Sequence, residues 1–260
     1  MAETVRIETG PEPGVATLRL DRPKLNALDQ QMIDDLAAAA ADIAASDELR
    51  SVVVWGGPTV FAAGADINGF REVTPAGAER LSAGINDAML AIENLPQITI
   101  SAVNGYALGG GMELAMATDF RMAADDATFG QPEILLGVIP GGGATQRLPR
   151  LVGVTRAKDI IYSGRNLAAE EALAIGLVSS VHPAADLYRA AIETAAAYAA
   201  GPAALRLAKR SIMDGLALPL DQAVVGESAH FGACFETDDC RIGVASFFER
   251  GPGRATFTGR

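Results

Sequence analysis

The sequence contains few residues of the kinds that build metal sites and disulfide frameworks. Among its 260 residues are two cysteines, Cys234 and Cys240, and two histidines, His182 and His230. Two cysteines six positions apart are too few for a disulfide scaffold or a zinc site. Two histidines 48 positions apart do not suggest a histidine metal centre. We therefore expect no metal site.

Basic residues are scarce relative to acidic ones. The chain has 21 Lys and Arg against 32 Asp and Glu, a formal net charge of −11. Affinity for nucleic acid comes largely from clustered lysine and arginine, so this excess of acid argues against a nucleic-acid partner. Hydrophobic residues make up 49% of the chain and charged residues 20%, which is typical of a folded globular protein.

No segment predicts a secretory signal or a membrane span. Residues 1–4 place no cationic stretch before an apolar one, so we expect a cytoplasmic protein. The most hydrophobic passage, residues 98–117, contains Asn104, Gly109-Gly110-Gly111 and Glu113, which would be costly in lipid. We interpret this passage as a buried strand, a tight turn and the start of a helix, and we expect no membrane partner.

The order of apolar segments predicts an α/β fold. Apolar runs at residues 14–20, 51–55 and 98–103 are typical of buried strands, and the alanine-rich stretch 28–45 is typical of a helix. Strands that alternate with helices favour a sheet whose ligands bind on the connections beyond the strand ends.

The last part of the chain is predicted to be helical. The helical segments are residues 185–200, 202–216, 221–235 and 238–248. Gly201-Pro202 is the predicted junction, because glycine ends helices and proline suits their first turn. We therefore predict a core of residues 1–200 that contains the site and a helical region of residues 201–260.

Two glycine-rich turns follow the two central strands, at Phe61–Ile67 and Asn104–Gly111. Because a helix is predicted to begin after the second turn, the N–H groups near Gly110 would favour a bound oxyanion. Alternatively, the small residues only allow close packing of strand and helix. A nucleotide-binding loop is excluded, since the spacing Gly105-x-x-x-Gly109-Gly110-Gly111 fits neither known glycine motif and no lysine follows it.

Two glutamates, Glu113 and Glu133, lie among apolar and glycine residues. Carboxylates in such surroundings are costly, which makes both candidate catalytic groups. Alternatively, Glu113 only interacts with the helix dipole, and Glu133 caps or salt-bridges a loop. A third glycine turn within residues 137–148 either begins a helix or uses its N–H groups to position a water or a substrate carbonyl next to Glu133.

Four motifs carry a resemblance to a known family. They are Arg22–Leu28 (RPKLNAL), Phe61–Ile67 (FAAGADI), Asn104–Ala115 (NGYALGGGMELA) and Phe129–Ile134 (FGQPEI). Together and in this order they resemble the motifs of the enoyl-CoA hydratase/isomerase family, the crotonases, and the resemblance extends over nearly the whole chain.

The resemblance implies a spiral of ββα units followed by a helical C-terminal trimerisation region, and an assembly of three or six copies. It implies acyl-CoA thioester substrates whose thioester oxygen binds the N–H groups of Ala65 and Gly110. Glu113 would deprotonate the water that attacks Cβ, Glu133 would protonate Cα, and Gly141 would help to hold the water. No cofactor is expected, because coenzyme A is part of the substrate.

The resemblance also implies a set of substrate-binding residues. They are Lys24, Leu25, Ala27, Ala63, Asp66, Ile67, Tyr106, Pro132, Pro140 and Gly141. Lys24 is the candidate partner of a CoA phosphate, although an ordinary solvated lysine is an equal alternative. Asn68 departs from the family pattern, since many relatives carry a lysine there.

The activity that the resemblance predicts is hydration of a 2-enoyl-CoA thioester across its 2,3 double bond to a 3-hydroxyacyl-CoA, as in fatty acid β-oxidation. The alternatives are an enoyl-CoA double-bond isomerase, which needs one base, and a non-catalytic acyl-CoA-binding scaffold. The presence of both Glu113 and Glu133 favours hydration. Residues 70–86, with glycine, proline and mixed polarity, are predicted to form a mobile lid that sets acyl chain length.

Overall fold

The computed structural model describes residues 4–260 and has a six-stranded sheet at its centre. The strands are β1 (Val5–Thr9), β2 (Val15–Leu20), β3 (Ser51–Trp55), β4 (Ile98–Val103), β6 (Phe120–Ala124) and β9 (Ser180–His182), in that spatial order. Only β1 pairs antiparallel to its neighbour, and the other pairs are parallel. Every residue of β4 is buried, as expected in the middle of a parallel sheet, and its two polar side chains, Thr99 and Ser101, hydrogen-bond to Asp119 and Thr118.

A smaller sheet of three short strands stands apart from the first. It consists of β5 (Tyr106–Leu108), β7 (Thr128–Gly130) and β8 (Asn166–Ala168). Strand β5 runs parallel to β7, which pairs antiparallel with β8. These strands position the glycine turn that follows β5.

Ten α-helices and two 3₁₀ helices lie in the described part of the chain. The α-helices are α1 (Gln30–Ala44), α2 (Pro75–Glu93), α3 (Gly110–Met116), α4 (Ala144–Val152), α5 (Val154–Ser163), α6 (Ala169–Ala174), α7 (Leu187–Ala199), α8 (Ala204–Gly215), α9 (Leu220–Cys234) and α10 (Asp238–Arg250). The 3₁₀ helices are Ile67–Glu72 and Pro132–Leu136. None of the helices within residues 4–260 is long and apolar enough to cross a membrane. The cytoplasmic location stays a prediction.

The predicted strands 51–55 and 98–103 and the four C-terminal helices are confirmed, with helix ends shifted by at most two residues. Helix α1 begins at Gln30 rather than at residue 28, because the Asp29 side chain caps it by accepting from Met32 N at 2.9 Å. Gly201-Pro202 falls between α7 and α8 as predicted.

The loop expected at residues 70–86 is wrong, because most of this stretch is helix α2, while its role as a mobile lid stays a prediction. Thr74 caps the helix by accepting from Gly77 N at 3.1 Å, and Pro75 occupies the first turn, where proline costs no hydrogen bond. The later turns bury Ile85, Met89 and Ile92 against the core. The proline that suggested a loop therefore starts a helix.

A buried carboxylate ties the C-terminal segment to the helices before it. Asp239, in the first turn of α10, accepts from Thr258 N and Gly259 N at 2.7 Å and from Ala203 N at 2.8 Å. Burial alone would raise the pKa of Asp239, but these bonds outweigh it and lower the pKa. Its stabilising contribution is therefore present above the unfolded-state value of 3.8 and is lost as the pH falls through the lower folded-state value.

We expect Asp239→Ala to lower the free energy of unfolding by about 2–4 kcal/mol, because three backbone N–H groups lose their acceptor. Urea unfolding at fixed protein concentration measures the effect. The control is Asp238→Ala, since the neighbouring Asp238 is exposed and pairs only locally with Arg241. Equal midpoints for the two variants would contradict the structural role of Asp239.

Candidate active site

The first turn of helix α3 is the point at which the candidate site residues converge. Gly109 precedes the helix with φ 49°, and residues 110–116 are all buried. The chain reaches this turn from β5, whose neighbour Ala62 accepts from Leu108 N at 3.1 Å. The glycine motif thus begins a buried helix whose N-terminus faces the segments described below.

The segment before α1 runs alongside the first glycine turn and leaves one N–H group unused. Ala63 N donates to Leu25 O at 3.0 Å, Leu28 N to Gly64 O at 2.8 Å and Asp66 N to Leu28 O at 2.8 Å. Ala65 N makes no hydrogen bond within the described residues, and neither does Gly110 N. A Cβ atom on Gly110 would lie 3.6 Å from Ala65 N, so the two free donors are neighbours.

Glu113 is buried and its carboxylate is held by backbone N–H groups from the third glycine turn. Its Oε1 atom accepts from Gly142 N at 2.8 Å and from Ala144 N at 2.9 Å. The expectation that this turn serves Glu133 is therefore wrong, because its N–H groups bind Glu113. The turn is also a helix entry, since α4 begins at Ala144.

Glycine at position 142 is required by this contact. A Cβ atom there would stand 2.5 Å from Glu113 Oε2 and 2.7 Å from Ile85 Cγ2, closer than real Cβ atoms approach. Any side chain would push the turn away from the carboxylate.

Glu133 reaches the same helix turn from the opposite side. It lies in the first turn of the 3₁₀ helix Pro132–Leu136, and its Oε1 atom is 2.8 Å from the position that a Cβ on Gly109 would take. The buried Gln131 lies two residues before it, and in the amide orientation that satisfies both of its polar atoms the Gln131 nitrogen donates to the Glu133 carboxyl oxygens at 3.1 Å. Gly109 thus lets the Glu133 carboxyl group approach the start of α3.

The two carboxyl groups have different electrostatic surroundings. Burial raises the pKa of Glu133 to about 7, and the negative charge of Glu113 adds to the rise. Burial also raises the pKa of Glu113, and the bonds from Ala144 and Gly142 and the charge of Arg147 offset this rise only in part. Near neutral pH the site therefore contains one carboxyl group that retains a proton readily and another whose ionised form is hydrogen-bonded.

A cavity of about 380 Å³ opens beside the free Ala65 N–H group. Its walls are formed by the end of the segment before α1, the first glycine turn, the first 3₁₀ helix and α2. The lining residues are Leu28, Asp29, Gln30, Ala65, Asp66, Asn68, Phe70, Val73 and Leu81. The lining contains both polar residues, such as Asp29 and Asn68, and apolar residues, such as Phe70 and Leu81, which suits an amphipathic ligand.

Several predicted substrate-binding residues lie in the segment before α1, in the first glycine turn and on β5. Lys24 and Leu25 are exposed and Ala27 is partly buried in the segment before α1. Ala63 and Ile67 flank the first glycine turn, and Tyr106 is half-exposed on β5. Backbone bonds join the three segments, from Ala63 N to Leu25 O and from Ala62 N to Tyr106 O, both at 3.0 Å.

The carboxylate of Asp66 is already engaged by the protein. It accepts from Arg22 Nη2 at 2.8 Å and from Asn68 Nδ2 at 2.6 Å, and it caps the first 3₁₀ helix. Pairing with Asn68 and Arg22 lowers the pKa of Asp66. Its side chain thus fixes the local loop rather than standing free for a ligand.

The remaining predicted residues lie next to the two acids. Pro132 immediately precedes Glu133 at the start of the second 3₁₀ helix. Pro140 is buried and Gly141 partly buried, and both lead into the turn that binds Glu113.

Some residues that shape the site were not singled out in the sequence. Asn26 Nδ2 donates to both Gly56 O and Phe61 O at 2.9 Å and so fixes the entry to the first glycine turn. Arg147 donates to Gly142 O at 3.0 Å and pairs with Glu93. The glycine turn before Ala144 was noted, but no local pattern indicates which acid its N–H groups bind.

Comparison with known proteins places the chain in a family. Residues 10–259 match the family model described as enoyl-CoA hydratase/isomerase. The chain is 39% identical to a short-chain-enoyl-CoA hydratase of Clostridium acetobutylicum, over 92% of this chain and 93% of that protein. It is 38% identical to a crotonyl-CoA hydratase of Syntrophomonas wolfei, over 92% and 93% of the two chains.

Solved structures agree with the sequence match. The crystal structure of an enoyl-CoA hydratase from Bacillus anthracis superposes with a TM-score of 0.92 at 36% identity, over 99% of this chain and 100% of that one. The chain belongs to the enoyl-CoA hydratase/isomerase family, and the predicted crotonase-like α/β fold is confirmed.

The raised pKa of Glu133 predicts how stability depends on pH. Because the folded state binds this proton more tightly than the unfolded state, stability should fall as the pH rises from the ordinary value of 4.5 to about 7. Glu133→Gln removes the proton site and should flatten this part of the profile. Urea unfolding at a series of pH values measures it, with the exposed Glu170→Gln as control. Parallel profiles for wild type and Glu133→Gln would show that Glu133 has an ordinary pKa.

Proposed function

We propose that this protein adds water across the 2,3 double bond of a 2-enoyl-CoA thioester to give a 3-hydroxyacyl-CoA. The observation that carries the proposal is the convergence at the start of α3 of two free N–H groups and two acids in different surroundings. Relatives named as hydratases, at about 40% identity over most of the chain, support the same activity.

The free N–H groups of Ala65 and Gly110 are the proposed oxyanion hole. When water adds to an enoyl thioester, negative charge develops on the carbonyl oxygen as an enolate. Two fixed donors at that oxygen stabilise the transition state, and one such donor is worth about 3 kcal/mol. The neighbouring positions of the two nitrogens support this role.

The two acids divide the proton transfers. Glu113 is the proposed base that orients and deprotonates the water attacking Cβ, because its two backbone N–H bonds favour the carboxylate form. Glu133 is the proposed acid that protonates Cα, because its pKa of about 7 leaves it partly protonated at neutral pH. Gly141, next to the turn that binds Glu113, is proposed to help hold the water.

No cofactor is required in this scheme. The thioester carbonyl accepts the electron pair of the double bond as an enolate, and that pair then takes a proton at Cα. Coenzyme A takes part only as a portion of the substrate.

The proposed substrate path runs along the cavity beside Ala65. The apolar wall of Phe70, Val73 and Leu81 suits an acyl chain or the apolar part of the pantetheine arm. The proposed binding residues of the adjoining segments are Lys24, Leu25, Ala27, Ala63, Asp66, Ile67 and Tyr106, with Lys24 as the candidate phosphate partner and Asp66 as part of the cavity wall whose carboxylate is engaged by the protein. Pro132, Pro140 and Gly141 are proposed to bind at the reacting end.

An isomerase or a non-catalytic scaffold is less well supported. Isomerisation moves one proton and needs one base, whereas both Glu113 and Glu133 lie at the start of α3. A scaffold would not require two carboxyl groups held at the same helix turn.

We expect Glu113→Gln and Glu133→Gln each to lower kcat for hydration of crotonyl-CoA by about 10² to 10⁴, because each removes one proton-transfer group. Loss of the enoyl chromophore measures hydration, and product analysis distinguishes isomerisation. The control is Glu170→Gln, an exposed glutamate in α6. Near-normal turnover in either active-site variant would contradict the role assigned to that glutamate.

The C-terminal region 201–260 is proposed to mediate self-association into a trimer or a hexamer. Neither α8 nor α9 has a buried residue, yet both carry large apolar side chains. The most exposed large apolar side chains of region 201–260 are Leu216, Leu220, Val225, Phe231 and Phe248, the last of them in α10. Apolar surfaces of this extent are typical of protein interfaces, and a second copy of the chain is the proposed occupant.

We expect sedimentation to give a mass that is a multiple of the 26.9 kDa of one chain. Leu220 is 80% exposed in the single chain, so Leu220→Asp introduces a charge into the proposed interface. It should shift the sedimentation equilibrium toward the monomer. Wild-type protein that sediments as one chain at assay concentrations would rule out the proposed assembly.

A further inference from the structure

The turn Gly141–Gly143 is held in place by one face of helix α2. Ser82, Asn86 and Glu93 are spaced by four and seven residues, so they lie along the same side of this helix. All three side chains are directed to the turn or to a residue that binds it. This turn contains the Gly142 N–H group that donates to Glu113.

Two of these side chains bind a single carbonyl oxygen. Ser82 Oγ donates to Gly141 O at 2.6 Å, and Asn86 Nδ2 donates to the same oxygen at 2.7 Å. Asn86 Nδ2 also donates to Ser82 O at 2.9 Å, which ties it to its own helix. The orientation of the peptide after Gly141, which contains the Gly142 N–H group, is therefore set from α2.

The third side chain acts through Arg147. Arg147 Nη1 donates to Gly142 O at 3.0 Å, while Nη2 donates to Glu93 Oε2 at 2.7 Å. The pair is largely buried, with 11% and 22% of the two side chains exposed. A Cβ on Gly143 would stand 2.1 Å from Arg147 Nη1, so the guanidinium group lies directly against the turn.

We propose that Ser82, Asn86 and Glu93, the last through Arg147, form a clamp that positions Glu113 for proton transfer. This α2 clamp rests on the proposed hydration, since it concerns the group assigned as its base. The four residues are positioning residues, because their recorded bonds go to the turn and to one another. Displacement of a reacting group by about 1 Å can cost about 10²-fold in rate, so a clamp of this kind affects turnover more than binding.

The charges around Glu113 give the clamp a second effect. Arg147 of α4 faces Glu113 with a positive charge, and Glu133 of the second 3₁₀ helix faces it with a titrating carboxyl group. Glu93 of α2 lies behind Arg147 and is itself faced by Lys209 of α8. Removing the charge of Arg147 should raise the pKa of Glu113, whereas Arg147→Lys keeps the charge.

Two clamp variants and two matched controls test the proposal. The clamp variants are Arg147→Gln and Asn86→Ala. Arg150→Gln is the control in α4, because exposed Arg150 bonds only to Gln146 O of its own helix. Asn94→Ala is the control beside α2, because Asn94 bonds only to Leu90 O.

We expect each clamp variant to lower kcat by about 10- to 100-fold with KM changed by less than about 3-fold. The acid limb of the kcat/KM profile should move to higher pH in Arg147→Gln and stay near wild type in Arg147→Lys. Both controls should match wild type. Clamp variants with the turnover and pH profile of the controls would overturn the proposal.

Hydrogen–deuterium exchange of residues 140–146 in the intact protein tests the clamp without any catalytic readout. The segment should exchange at least about 10-fold faster in the clamp variants than in the controls, because the carbonyl oxygens of Gly141 or Gly142 lose a donor and the turn is then held less firmly. Failure of the wild type to hydrate enoyl-CoA would refute the proposed function, while unchanged exchange in the variants would refute the clamp. If Arg147→Gln does not fold, Asn86→Ala and Glu93→Gln are compared with the controls for turnover and exchange in its place.

Discussion

The pair of backbone N–H bonds to the buried carboxylate of Glu113 is the interaction on which the site depends. A carboxylate removed from water is costly unless donors replace the solvent, and here Gly142 and Ala144 supply them at 2.8 and 2.9 Å. Those donors exist only because the chain turns sharply just before α4, and the turn fits only because Gly142 has no side chain. Packing, backbone geometry and charge are thus coupled at one point.

The same constraint explains how two identical side chains acquire different properties. Glu113 receives two main-chain donors and faces Arg147, whereas Glu133 has burial and a neighbouring negative charge acting on it. The difference arises because the turn before α4 meets Glu113, whereas Glu133 reaches Gly109 from the second 3₁₀ helix. The opposite proton-transfer roles proposed for the two residues therefore need no difference in residue type.

The sequence predicts the parts of this protein whose signals are local. Strands β3 and β4 are apolar and β-branched runs ended by turn residues, and the motifs around Gly110 and Glu133 indicate the site. Three-residue strands such as β5 are too short to show a period. The Pro75 that suggested a loop instead opens α2. The donors to Glu113 lie 29 and 31 residues away from it, and no local pattern records such a pairing.

Helix α2 has two neighbouring residues with different tasks, since Leu81 lines the cavity and Ser82 bonds to Gly141 O. A shift of the helix that enlarged the cavity would also carry Ser82 away from the turn. Divergence of substrate range among such proteins should therefore proceed by exchange of side chains on a stationary α2. An insertion or tilt in this helix would widen the cavity but displace the turn that binds Glu113, which restricts the evolutionary routes to a wider cavity.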